Sequence, residues 1–154
     1  MTTNALSTRL RPRSRQRVKG YPADSVRFDL LIALCSSVFG AGLFLDGWAH
    51  NNIPNLIETF FTPYHALLYG GYTLVAAVLT MTHLRNIARG HAWSRALPQG
   101  YFLALGGIAL FAIGGVGDLI WHETFGFEDD TEALLSPTHL LLAAGAILYV
   151  AAPL

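Results

Sequence analysis

The stretch QGYFLALGGIALFAIGGVGDLIW, residues 99–121, decides the fold class because it is apolar on every side. It contains no lysine or arginine, and residues 101–117 carry no polar residues at the spacing of a helix face. A helix of a soluble four-helix bundle needs such a face toward water. The stretch also exceeds the roughly 20 residues with which a helix crosses about 30 Å of hydrocarbon. It therefore predicts a transmembrane helix.

Three further apolar runs give the whole chain the same character. They lie at residues 28–46, 63–83 and 137–154, and none has a lysine or arginine in its interior. Of the 154 residues, 53% are hydrophobic and 13% are charged. Soluble proteins carry about 25% charged residues. The sequence thus predicts an all-α integral membrane protein with four transmembrane helices in a lipid bilayer.

Charged residues are divided between the two sides of this predicted membrane. All ten basic residues lie in the N-terminal tail, at the start of the first helix or in the middle connection. Eight of the ten acidic residues lie in the other two connections. Because excess lysine and arginine mark the cytoplasmic side, we predict a multi-pass protein of the cell membrane with both termini inside. The two acidic connections would then face outward.

This topology divides the chain into four parts. They are, in order, a basic cytoplasmic tail (1–26), a first helical hairpin (27–83, outer loop 47–62), a basic cytoplasmic connection (84–98) and a second hairpin (99–154, outer loop 122–136). We expect the basic tail to lie against anionic lipid rather than to bind nucleic acid, since about 1 kcal/mol per basic residue is available there. His83 and His91, on the basic side, are expected to be solvated.

The two outer connections repeat the same residue types in the same order. The first has Asp46, His50, Glu58, Thr62-Pro63 and His65, and the second has Asp118, His122, Glu132, Ser136-Pro137 and His139. The spacing from the glutamate to the last histidine is identical, and only the loop before the glutamate differs, by two residues. The repeat predicts two helical hairpins of the same orientation, related by a pseudo-axis along the membrane normal.

Each half is expected to bring one carboxylate and two imidazoles together. The aspartate and the first histidine are four residues apart, so they share a face if the helix continues one more turn. Thr62-Pro63 and Ser136-Pro137 are typical helix starts, which places the second histidine in the first turn of the next helix. The positive end of the helix dipole disfavours imidazolium there, and a neutral imidazole can bind metal.

Two histidines and a carboxylate are a common ligand set for a catalytic iron, zinc or copper ion with open coordination positions. The predicted metal ligands are Asp46, His50 and His65 in the first half, and Asp118, His122 and His139 in the second. Three glutamates are candidates for an extra ligand or for orienting a ligating histidine, namely Glu58, Glu132 and Glu123.

Glycines are concentrated in the apolar runs and are expected to allow close helix packing. They include Gly40, Gly42, Gly70, Gly71, Gly106, Gly107, Gly114, Gly115 and Gly117. A phosphate-binding loop is excluded because no strand precedes these glycines and no lysine follows them. The sequence likewise has no serine-nucleophile elbow, no CxxC pair and no nucleic-acid module, so no nucleic acid is expected as a partner.

The paired motifs resemble those of a known family. Asp118-x2-Trp121-His122, followed by Ser136-Pro137-Thr138-His139, resembles the copper-site motif of the C subunit of particulate methane and ammonia monooxygenases. The segment Phe61-Thr62-Pro63-Tyr64-His65 is similar to that family's second-half motif, and Asp46 and His50 match its first half. In that family, an aspartate and two histidines from consecutive membrane helices bind copper near the outer face.

The resemblance implies that both Asp/His/His sets are copper ligands. It also implies a subunit that works with other membrane subunits, or as a homo-oligomer. If the chain is catalytic, copper would activate dioxygen at an open coordination position, as expected of a copper-dependent monooxygenase.

Two other classes of function stay open on the sequence. His65 and His139, at equal depth on two helices, could instead be the axial ligands of one b-type haem, which would show a Soret band. Alternatively, the outer loops could dock a periplasmic or extracellular partner, as in a non-catalytic assembly subunit. That class predicts that replacing the outer histidines leaves metal content unchanged.

Overall fold

A computed structural model describes residues 17–53, 60–126 and 135–152, and it shows an all-helical chain over these ranges. The elements are α1 (Val26–Asn52), α2 (Pro63–Ala88), a 3-10 helix (Trp93–Arg95), α3 (Phe102–Phe125) and α4 (Pro137–Val150). The predicted all-helical class and the four α-helices are confirmed for the described residues. No strand occurs among them, apart from a single bridge between Val18 and His91.

Three of the helices are long and apolar enough to cross a membrane. These are α1, α2 and α3, with 27, 26 and 24 residues. The apolar α4 has 14 residues, so the fourth predicted transmembrane helix stays a prediction. Large apolar side chains lie exposed along the outside of the bundle, including Leu34, Phe44, Leu103, Ile113 and Ile147. A contiguous apolar exterior of this kind suits a lipid bilayer as the surrounding medium.

Two helices extend beyond their predicted ends. Residues 47–52 and 122–125, predicted as outer loop, are helical in α1 and α3. At the end of α1, the Ile53 N–H donates a hydrogen bond of 3.0 Å to the Ala49 carbonyl and closes the last turn. At the end of α3, Gly126 adopts a φ of +83°, which favours glycine, and its N–H donates to the His122 carbonyl. The extension keeps each aspartate and its neighbouring histidine on one helix.

The helices pack in consecutive pairs, α1 against α2 and α3 against α4, with a smaller contact between α2 and α3. In the first pair, two glycines allow the backbones to touch. A Cβ atom at Gly42 would lie 2.7 Å from the Leu68 backbone, and one at Gly71 would lie 2.4 Å from Cα of Phe39. Only glycine permits so close an approach.

The second pair makes the same two contacts. A Cβ atom at Gly114 would lie 3.0 Å from the backbone nitrogen of Leu142, and one at Gly145 would lie 2.6 Å from that of Phe111. Gly114 and Phe111 follow Gly42 and Phe39 by 72 residues, as Asp118 follows Asp46. Leu142 and Gly145 follow Leu68 and Gly71 by 74 residues, as His139 follows His65.

The glycine expectation is therefore confirmed at some positions and wrong at others. An added Cβ would meet a neighbouring helix at Gly42, Gly71, Gly107, Gly114, Gly115 and Gly117. At Gly40, Gly70 and Gly106 it would meet nothing within 4 Å, because these glycines lie on outward faces of their helices.

An aromatic cluster joins the two pairs at the middle of the bundle. The ring of Phe111 lies 5.4 Å from Phe39, 4.7 Å from Tyr72 and 5.9 Å from Tyr149. The hydroxyl of Tyr72 on α2 donates a hydrogen bond of 2.9 Å to the Ile108 carbonyl on α3. Rings from all four helices thus fix the pairs to each other.

The basic segments meet at one end of the bundle. Val18 N–H donates to the Gly90 carbonyl at 3.1 Å, and the Arg95 guanidinium lies 5.8 Å above the Tyr21 ring. This end follows the C-terminus of α2, whereas His65 lies in the first turn of that helix. A helix of 26 residues is about 39 Å long, so the basic end and His65 are on opposite sides of the bundle.

The expected solvation of His83 is wrong. Its ring is 4% exposed and packs edge-on against Trp93 at 5.5 Å, because the 3-10 helix folds this tryptophan over the end of α2. Neither ring nitrogen of His83 has a hydrogen-bond partner among the described residues. His91 is half-buried, and its Nδ1 lies 3.2 Å from the Gly20 carbonyl.

Replacing Gly71 by alanine should destabilise the protein, because the new Cβ would overlap the Phe39 backbone and force α1 away from α2. Overpacking of this kind costs about 1–3 kcal/mol or more. Thermal unfolding in detergent, followed by circular dichroism, should show a lower midpoint for Gly71→Ala. Gly70→Ala is the matched control, since its Cβ meets nothing within 4 Å. Equal midpoints for the two variants would contradict the packing described.

Candidate metal centres

The first cluster forms where α1 ends and α2 begins. Nε2 of His50, one turn after Asp46 on α1, lies 3.8 Å from Asp46 Oδ2. Nε2 of His65, in the first turn of α2, lies 3.5 Å from the same oxygen. Asp46 and His65 are buried, whereas the side chain of His50 is 33% exposed.

The second cluster has the same construction at the α3–α4 junction. Nε2 of His122 lies 3.6 Å from Asp118 Oδ2, and Nε2 of His139 lies 3.6 Å from Asp118 Oδ1. Asp118 is 2% exposed, His122 is buried and His139 is half-buried. In each cluster, the three ligand atoms lie within 4.8 Å of one another. The structure therefore brings all six predicted ligands together as two groups of three.

The helix starts place the second histidine of each cluster. Thr62 Oγ1 accepts the backbone N–H of His65 at 3.1 Å, and Ser136 Oγ accepts that of His139 at 3.3 Å. Each cap is followed by a proline in the first helical position, where its missing N–H costs nothing. Both predicted N-caps are confirmed, and they point each imidazole back at the preceding helix.

A backbone carbonyl fixes the ring orientation of His65. Its Nδ1 lies 2.7 Å from the Phe60 carbonyl oxygen, which can only accept a hydrogen bond. Nδ1 therefore carries the hydrogen, and in the neutral ring Nε2 directs a lone pair toward Asp46. The Phe60 ring stacks on the imidazole at 4.9 Å and holds it in this plane.

A chain of hydroxyls fixes the ring of His139. Thr138 Oγ1 donates to Asp118 Oδ1 at 3.0 Å, so its oxygen accepts from Ser136 Oγ at 3.1 Å. Ser136 has then donated its only hydrogen, and it accepts from Nδ1 of His139 at 2.8 Å. No other placement of the two hydroxyl hydrogens satisfies all three contacts. His139 Nε2 then faces Asp118.

These separations fit ligands around a shared ion. Hydrogen bonds from N–H to oxygen are about 2.7–3.2 Å long, shorter than the 3.5–3.8 Å between Nε2 and carboxylate oxygen in the two clusters. A tetrahedral ion with bonds of about 2.0–2.2 Å separates its ligand atoms by about 3.3–3.6 Å. Three of the four separations, 3.5–3.6 Å, fall in this range, and that of His50, 3.8 Å, is slightly longer. A neutral imidazole and a carboxylate present lone pairs to each other, so a cation between them removes the repulsion.

The two clusters lie beside each other at the end of the bundle opposite the basic segments. The Tyr69 ring is 6.2 Å from the His65 ring. Its hydroxyl would be 3.0 Å from a Cβ atom at Gly115, one turn before Asp118. Tyr69 thus lies between the centres, a placement that nothing in the sequence indicated.

The three glutamates predicted as supporting residues have different outcomes. Glu58 and Glu132 lie outside the described residues, so their role stays a prediction. Glu123 lies on α3 with its side chain exposed, and it is not among the residues whose ligand atoms converge. The hydrogen bond from Thr138 to Asp118 was not predicted, although a hydroxyl residue directly before His139 is visible in the sequence.

Comparison with protein-family models, curated proteins and solved structures finds no match to this chain. The motif resemblance to the monooxygenase C subunit therefore stays a prediction from about forty residues of short motifs.

The hydrogen on Nδ1 of His65 and His139 can be checked without metal. In the apo protein, ¹⁵N NMR of the imidazoles should show that Nδ1 of both rings carries a hydrogen. The acceptor beside each Nδ1 requires this. Single replacements of each histidine by glutamine would assign the signals. An Nδ1 without a hydrogen in either ring would contradict the described orientation.

Proposed function

We propose that the chain is an integral membrane protein that binds one transition-metal ion at each Asp/His/His cluster, with copper favoured. The observation that carries this proposal is the convergence of two imidazoles on a buried carboxylate, at separations that suit a shared ion, in both clusters. The proposal includes an origin by duplication of a helical hairpin. The ligands and the glycine contacts of the first half recur in the second half at the same distances along the sequence, 72 and 74 residues, which supports that origin.

The need for a cation follows from burial. Asp118 and Asp46 are buried in an apolar bundle, and the described residues offer neither of them a lysine or arginine partner. An uncompensated buried carboxylate costs several kcal/mol. A divalent ion bound by the carboxylate and both imidazoles would supply the positive charge and use all three ligands.

The ligand set narrows the choice of metal. Imidazole nitrogen suits copper, iron and zinc, while carboxylate-only sites suit magnesium and calcium. Copper(II) lies highest in the general order of affinity among first-row divalent ions, and the motif resemblance also favours copper. Iron and zinc are the alternatives. A b-type haem shared by His65 and His139 is less well supported, because each Nε2 faces the carboxylate of its own cluster.

The charge distribution supports a location of the clusters at the outer membrane surface. The clusters and the basic segments lie at opposite ends of α2. Since lysine and arginine remain on the cytoplasmic side, the Asp/His/His end would face outward. The ions would then be taken up from the periplasmic or extracellular side. One partly exposed histidine in each cluster, His50 at 33% and His139 at 30%, would give each centre access to that side.

Three protein ligands leave coordination positions open, as in catalytic rather than structural metal sites. By the motif resemblance, copper would supply one-electron chemistry toward dioxygen, with other membrane subunits or a second copy completing the assembly. The chain's own residues hold the ion, fix the imidazole tautomers and exclude water from the side of each centre that faces the bundle. If no metal binds, a docking role for the outer loops becomes the better account.

The metal content of the protein purified in nanodiscs after copper supply tests the proposal. Two coppers per chain are expected, one for each cluster. His65→Ala should remove the first and His139→Ala the second, because each variant leaves a carboxylate and one imidazole, too few ligands to retain copper through purification. Inductively coupled plasma mass spectrometry gives the count, and a visible spectrum detects any Soret band.

His91→Ala is the matched control, since His91 lies at the opposite end of α2 and its replacement should leave both coppers in place. Iron with a Soret band would establish the haem alternative. No stoichiometric metal in protein supplied with copper, iron and zinc would refute metal binding and favour a docking role.

A further inference from the structure

The two clusters differ in how the carboxylate is held. Asp118 Oδ1 accepts the hydroxyl of Thr138 at 3.0 Å. Asp46 Oδ1 is buried and has no hydrogen-bond partner among the described residues. The difference arises at one position of the repeat, directly before the second histidine, where Tyr64 corresponds to Thr138. The tyrosine offers no bond to Asp46 there.

The hydroxyl chain prepares the second cluster for an ion. It links Nδ1 of His139, through Ser136 and Thr138, to the carboxylate of Asp118. The carboxylate orientation and the imidazole tautomer are therefore set together before an ion arrives. In the first cluster, the Phe60 carbonyl fixes only the imidazole of His65. Hydrogen bonds that orient metal ligands from outside are worth about 10–100-fold in metal affinity.

Solvent exposure separates the carboxylates and not the histidines. Each cluster has one imidazole that is about a third exposed, His50 at 33% and His139 at 30%, and one that is buried. The side chain of Asp46 is 12% exposed, whereas that of Asp118 is 3% exposed. The difference between the clusters therefore lies in how the carboxylate is held and covered.

We infer that the two centres are unequal: the Asp118 centre holds its ion tightly, and the Asp46 centre, whose carboxylate has no such hydrogen bond, is the exchangeable one. Thr138 is the positioning residue responsible for this difference, because it acts on the ion through Asp118. The assignment of a tight and an exchangeable centre rests on the proposed metal binding.

Copper release to a chelator tests the inference. Protein carrying two Cu²⁺ per chain is mixed with excess EDTA, and the copper left on the protein is measured over time after rapid desalting. Release should occur in two phases of equal amplitude. His50→Ala should lack the fast phase, because it disables the Asp46 centre, and His122→Ala should lack the slow phase.

The positioning role of Thr138 is tested by two substitutions. Thr138→Val removes the hydroxyl at nearly constant volume and should accelerate the slow phase about 10–100-fold while leaving the fast phase unchanged. Thr138→Ser keeps the hydroxyl and should retain the wild-type slow rate. The unchanged fast phase serves as an internal control for folding.

Several outcomes would overturn the inference. Release of both ions in one phase would show that the centres are equivalent. Equal rates for the valine and serine variants would show that the hydroxyl is not responsible. If the wild-type protein binds two ions and either of these results is found, only the inequality of the centres is refuted. Wild-type protein that binds no copper refutes the proposed metal binding as well.

Discussion

A buried carboxylate at each of two helix junctions is the constraint on which the rest of the structure depends. In a bundle whose exterior and core are apolar, Asp46 and Asp118 lose most of their hydration, and the described residues give neither a lysine or arginine partner. Burial of an ion at this level is tolerated where a cation or several hydrogen bonds compensate it. Each carboxylate is faced by Nε2 of two imidazoles, and the proposed divalent ion would lie between these three groups.

The glycine contacts place the imidazoles within reach of the carboxylates. Gly42 lies one turn before Asp46 on α1, and it touches the backbone of Leu68, three residues after His65 on α2. The two backbones therefore touch one turn below the cluster, and this contact places His65 beside Asp46. The equivalent contact of Gly114 with Leu142 does the same for Asp118 and His139. Ligand geometry and helix packing are thus set by the same residues.

Much of this arrangement could be predicted from sequence because it depends on local patterns. Apolar length predicted the helices, Thr-Pro and Ser-Pro predicted the caps, and the repeat identified all six residues that gather in the clusters. The missed features depend on contacts between distant residues. Burial of His83 requires the 3-10 helix to place Trp93 over it, and the position of Tyr69 requires the absence of a side chain at Gly115. The direction of the Ser136–Thr138 hydroxyl chain depends on the contact of Thr138 with Asp118, which lies 20 residues earlier on another helix.

The central claim is that each carboxylate and its two imidazoles surround one ion. Anomalous diffraction at the copper absorption edge, from crystals soaked in copper, tests this claim most directly. The account predicts two anomalous peaks, one between Asp46, His50 and His65 and the other between Asp118, His122 and His139. Copper at other positions, with neither cluster occupied, would contradict it.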